Sequence, residues 1–117
     1  MVAAVHDITI EQGATYQLSL IWRQPNGTPV DLTGYTARMQ VRRRHSSDTA
    51  LLTFTTENGG ITLGGPAGTI NVVGLATLTD DLPAPSPAVY DLELVSSGGF
   101  VTRLVEGGAY ITPEVTR

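Results

Sequence analysis

Two carboxylates, Asp91 and Glu93, stand two residues apart in the run Tyr90-Asp91-Leu92-Glu93-Leu94. On an extended chain that spacing sets both on one face, about 6.6 Å apart. This falls within the roughly 5 to 9 Å over which paired carboxyl groups act as acid and base on a glycoside. The same face is the polar side of an amphipathic strand, where charges are expected for solvation alone, and no nearby pattern marks a pocket. Asp80-Asp81 fits no D-x-D-x-D-G calcium loop and reads as loop charge or a turn cap. His6 and His45 are the two histidines. Neither forms an H-x-H or H-E-x-x-H pair, so both read as loop or surface residues.

Other chemistries are missing from the sequence. The chain has no cysteine, which excludes disulfides and thiolate metal sites and suits a reducing cytoplasm. Its 13 glycines form neither a phosphate loop nor a G-x-G-x-x-G turn, and no G-x-S-x-G elbow occurs. The expectation is therefore no catalytic residue, no metal and no cofactor. A net charge of −4 argues against nucleic acid as a partner, since such binding requires a basic surface. No stretch reaches the ~20 apolar residues of a membrane span, and Met1–Asp7 lacks the basic and long apolar regions of a signal peptide. One charge asymmetry stands out. Arg38, Arg42, Arg43, Arg44 and His45 gather four of the seven basic residues, which either dock an acidic partner surface or keep a strand end in water.

The elements that would position these groups are strands. Tyr16, Leu18, Leu20 and Trp22 alternate with polar neighbours, as do Tyr35, Ala37, Met39 and Val41, and then Tyr90, Leu92 and Leu94. A period of two places one set inward and the other outward. Shorter runs at Ile8–Ile10, Leu51–Thr55, Ile61–Leu63, Thr69–Val73, Phe100–Val105 and Ala109–Thr112 are further strand candidates. Three consecutive arginines cannot all sit well in a sheet, so the Tyr35 strand should end near Val41 or Arg42. Pro25-Asn26-Gly27-Thr28-Pro29 contains a glycosylation sequon but reads as a reversal, because Asn-Gly tolerates positive φ. Glu57–Gly60, Gly64–Pro66 and Ser96–Gly99 punctuate the chain in the same way. The fold expected is all-β: one immunoglobulin-like antiparallel β-sandwich of about 7 to 9 strands with at most one or two short helical turns. One such turn is expected at Leu75, Leu78 and Leu82, packed on a sheet. Prolines 83, 85 and 87 should keep Leu82–Pro87 irregular. Tyr90, downstream of that turn, is either an inward aromatic or a residue whose hydroxyl bonds back to the connection.

Two segments resemble short structural proteins of tailed bacteriophage virions: Asp7–Tyr16 with Pro29–Arg42, and Tyr90–Val95 with Val101–Leu104. The Asp31-Leu32-Thr33-Gly34-Tyr35 element is similar to one in the N-terminal sandwich of phage baseplate upper proteins. The resemblance implies a non-enzymatic tail, baseplate, neck or fibre-attachment subunit, made in the host cytoplasm and present in repeated copies among other virion proteins. A capsid decoration protein and a carbohydrate-binding module are the alternatives. The latter is disfavoured because Tyr16, Trp22, Tyr35 and Tyr90 all look inward. The candidate partner-binding residues are Val2, Val5, Ile8 and Ile10 in an apolar N-terminal segment, together with Arg42, Arg43 and Arg44. That segment either pairs with a neighbouring subunit through an open strand edge or closes this chain's own sheet.

Overall fold

The alternating segments form strands, and their apolar faces meet between two sheets. A computed structural model describes residues 3–116. The strands are β1 (Ala4–Val5), β2 (Ile8–Glu11), β3 (Tyr16–Ile21), β4 (Thr36–Arg42), β5 (Leu52–Thr55), β6 (Ile61–Leu63), β7 (Thr69–Gly74), β8 (Ser86–Val95) and β9 (Val101–Thr112). A single α-helical turn, α1 (Ala76–Thr79), precedes β8, and a 3-10 turn lies at Gly65–Ala67. The larger sheet runs β1-β9-β8-β4-β5, with β2 also on β9, and the smaller runs β3-β7-β6. This is the expected immunoglobulin-like sandwich. It is not wholly antiparallel, because β1 and β2 both run parallel to β9.

Between the sheets lie Ile10, Met39, Val41, Ile70, Val72, Leu92, Leu94 and Ile111, all fully buried. Tyr16 on β3 meets Phe54 on β5 across the core, ring centroids 6.3 Å apart. Asp31 makes the corner before β4: its Oδ1 accepts from the Thr33 backbone N–H at 3.0 Å and the Thr33 hydroxyl at 2.6 Å. Those bonds hold the Asp31 carboxyl below its ordinary range. Leu32, swung inward by this turn, is 2% exposed.

Several expectations are corrected. Phe100–Val105 and Ala109–Thr112 are one strand, β9, not two. A bulge opposite Leu92 and Glu93 turns both Leu104 and Val105 inward, which breaks the alternation, and Gly107-Gly108 then leaves two positions without a side chain. The segment 82–87 is not irregular throughout, for β8 begins at Ser86 and carries Pro87 opposite Tyr110. In the helical turn, Leu75 and Leu78 are exposed; Thr79 and Leu82 face inward instead. Ile8 and Ile10 are not a partner-binding surface. They point into this chain's own core while β2 pairs with β9. Val5 is exposed on β1, and Val2 lies outside the described residues.

The hydroxyl of Tyr16 is enclosed and has no hydrogen-bond partner among the described residues. Leaving a buried donor unpaired costs about 1–3 kcal/mol, and phenylalanine keeps the ring. Tyr16→Phe is therefore expected to raise stability by about 1 kcal/mol, seen as a higher denaturant midpoint at unchanged slope.

Candidate functional site

Bringing β4, β8 and β9 side by side assembles the sequence's carboxylates with arginines from both flanking strands. In register, Arg38 lies opposite Glu93, and Glu93 lies opposite Arg103. The next row is Gln40, Asp91 and Glu106. Arg38 Nε bonds Glu93 Oε1 at 2.8 Å, while Arg103 stands 3.5 Å from Asp91, 3.9 Å from Glu93 and 3.3 Å from Glu106. Around them is a half-enclosed depression lined also by Gln40, Arg42, His45 and Val89. Asp91 titrates above its ordinary range, first because of partial burial, then because of Glu93 and Glu106; Arg103 and His45 act in the opposite direction. Protons are thus held longer in the fold, so ionising Asp91 lowers stability slightly as pH rises through the carboxylate range.

Geometrically, Asp91 and Glu93 do share a face, as their spacing predicts. Both are engaged by arginines on an open sheet surface. Such exposed pairs contribute about 0–1 kcal/mol each and chiefly fix the pattern of charge. The basic cluster divides. Arg38 belongs to the ion-pair row, whereas Arg42 is half-buried and donates to the Ser47 carbonyl and Gln40 Oε1, both at 2.8 Å, which ties down the loop after β4. Arg43 and Arg44 are exposed in that loop, beside the start of β8. His6 and His45 are exposed. Among the described residues, no group of three or more His, Asp or Glu side chains is placed to hold a metal ion.

Sequence reasoning did not anticipate Arg103, which links three carboxylates, nor the junction beneath the N-terminal strands. There the chain leaves β1 and enters β2. His6 N–H donates to the Glu106 carbonyl at 2.9 Å, the Tyr90 hydroxyl donates to the His6 carbonyl, and Gly108 N–H donates to Asp7 Oδ1 at 2.9 Å. Tyr90 therefore bonds to the N-terminal chain and not to the helical crossover before it. The Asp7 carboxylate stands in for a ladder acceptor where the parallel pairing is interrupted. The only sequence signal for this junction is Gly107-Gly108 inside a strand, which often marks a close backbone approach.

Burial pushes the hydroxyls of Tyr16 and Tyr90 up to about 12, aided at Tyr90 by Tyr16 and Asp7. Their unfolded value is about 10. Both hydroxyls are neutral in the folded and the unfolded chain below pH 10, and their ionisation favours the unfolded chain, so stability is lost as pH rises from 10 toward 12. Thermal melts between those limits should show a steep decline that is shallower in Tyr16→Phe; equal slopes would refute burial as the cause.

No family model matches the chain, and no curated protein does. Among solved structures, the chain is similar to an extracellular domain of the voltage-gated sodium channel β4 subunit, described as a parallel homodimer in cell–cell adhesion. Identity is 11%, with 98% of this chain and 97% of that one covered and a TM-score of 0.44. A second similar structure comes from work on multimeric cell-adhesive interactions of sodium channel β subunits, at 11% identity, 97% and 95% coverage and a TM-score of 0.44. These neighbours are adhesion domains and not phage parts, so the reading of the chain as a virion subunit is corrected. What this chain shares with them is the immunoglobulin-like sandwich.

Proposed function

We propose that this chain is a non-enzymatic protein-interaction module. The observation that carries the reading is the state of Asp91 and Glu93. The one carboxylate pair with a spacing suited to acid–base chemistry is held by Arg38 and Arg103 on a partly exposed sheet face. Catalytic acids and bases work in enclosed sites that shield substrate from water. A partly exposed array of both charge signs instead favours recognition of another protein surface, where complementary charge sets register and speeds encounter.

The test is a screen of the purified protein against polysaccharides, esters and phosphoesters. No turnover is expected. Product release that disappears in Asp91→Asn or Glu93→Gln would overturn the reading.

A further inference from the structure

Among the sheet edges of the described residues, one carries none of the usual guards against pairing with another chain. The β1–β2 edge is broken at Asp7 and ends in the charged Glu11. β5 has four residues, and β6 has three before it runs into Gly64, Gly65 and Pro66. β3 is different. It forms one edge of its sheet as six residues, Tyr-Gln-Leu-Ser-Leu-Ile, with unbroken register to β7 and no charge or proline. Natural proteins usually shorten, charge or bulge an edge of this kind, because its free backbone groups template a further strand.

The backbone shows which groups are free. Trp22 N–H donates to the Gly68 carbonyl at 2.9 Å, continuing the β3–β7 register. Antiparallel residues alternate between bonding one neighbour and facing away from it. Leu20, Leu18 and Tyr16 therefore turn their N–H and C=O toward β7, and Ile21, Ser19 and Gln17 turn theirs to the open edge. The far side of β7 agrees, since Val73 N–H donates to the Gly60 carbonyl, away from β3.

We propose that β3 is a homotypic interface, in which two copies of this chain pair their β3 strands antiparallel about a twofold axis at Ser19. This deepens the reading of the chain as an interaction module and rests on it only in assigning a protein partner. The strand is self-complementary about Ser19. In that register Ser19 faces Ser19 of the second copy, Gln17 faces Ile21, and Leu18 faces Leu20. The two leucines of each copy are only partly buried at the edge of their own core, and the pairing covers them with each other. On the outer face, Ile21 is 48% and Val73 38% exposed. Because Val73 lies opposite Gln17, the pairing aligns Val73, Gln17 and the second copy's Ile21 in one row. A strand without charge lets two copies of an acidic chain meet there without direct like-charge opposition. The twofold closes the contact, so it yields a dimer and not a fibre.

Sedimentation of the full chain at about 200 μM, enough to populate complexes of micromolar Kd, should show a dimer. Ser19→Lys opposes two cations at the axis and should weaken association at least about tenfold. Thr53→Lys, exposed on the β5 edge, should leave association unchanged. Hydrogen exchange of the unmodified protein gives an independent readout. As concentration rises, the amides of Gln17, Ser19 and Ile21 should gain protection while those of Leu18 and Leu20, already bonded to β7, stay constant. A monomer at that concentration, a dimer indifferent to Ser19→Lys, or protection gained elsewhere would overturn the proposal. If Ser19→Lys does not fold, the exchange pattern of the unmodified chain decides. Turnover of a substrate would defeat the interaction-module reading without touching this result.

Discussion

Gly107→Ala should lower the melting temperature by about 12 °C, corresponding to a loss of about 3 kcal/mol. The effect comes from the N-terminal chain where it crosses β9. A Cβ at position 107 would lie 2.6 Å from the His6 carbonyl oxygen and 2.9 Å from Asp7 Oδ1. The first of these is backbone, so no side-chain rotation relieves it. The His6 carbonyl must move, and it is also the acceptor for the buried Tyr90 hydroxyl. Its residue's N–H is bonded to Glu106, and Asp7 is bonded to Gly108 N–H. Overpacking of this kind costs about 1–3 kcal/mol, and each hydrogen bond lost adds about 1 kcal/mol. Gly98→Ala is the control, since its Cβ would meet nothing nearer than Ser96 Oγ at 3.9 Å. Differential scanning calorimetry of the two variants checks the expectation. Equal melting temperatures would show that the N-terminal strands dock without needing a bare position at 107.

The parts of this fold legible in the sequence are those governed by local chemistry. The alternations in β3, β4 and β8 are regular, and each buries the set that its period assigns. The Asn26-Gly27 reversal forms as its residues dictate, with Thr28 N–H bonded to Asn26 Oδ1 at 2.9 Å. β4 ends at Arg42, beyond which the alternation would have turned the second consecutive arginine, Arg43, inward. What was not legible depends on partners far along the chain. Whether Ile8 and Ile10 serve this core or another chain is settled by parallel pairing with residues about a hundred positions later, and periodicity carries no information about that. The bulge in β9 is visible in sequence only as a lapse in alternation, which looks like a strand ending. The candidate site divides in the same way. Placing Asp91 and Glu93 on one face is a local matter, but their neutralisation by Arg38 and Arg103 requires the order of β4, β8 and β9.

Thr79→Val should destabilise the protein by about 2 kcal/mol, although the two side chains have nearly the same shape. Leucines at 75, 78 and 82 suggested a greasy helical turn resting on a sheet. In the structure two of those leucines face water and Thr79, 0% exposed, is the residue on the inner side. Its hydroxyl accepts from Gly13 N–H at 3.1 Å and donates to the Ala14 carbonyl at 2.8 Å. Those two groups belong to the turn joining β2 to β3, which connects the two sheets. A four-residue helix has no stability of its own, so this hydroxyl is what fixes α1 against that turn. Nearby, Gln12 donates to the Leu82 carbonyl at 2.8 Å and accepts from Glu114 N–H at 3.0 Å, binding the same turn to the start of the β8 connection and to the chain beyond β9. Valine keeps the volume but leaves the half-buried Gly13 N–H and the exposed Ala14 C=O without their partner, at about 1 kcal/mol for each hydrogen bond lost. Thr79→Ser keeps the hydroxyl and loses one methyl, at about 1 kcal/mol. Urea unfolding should therefore rank the wild type first, serine second and valine third, with a common slope. If valine equals or exceeds serine, α1 is held by apolar contact and the hydroxyl is incidental.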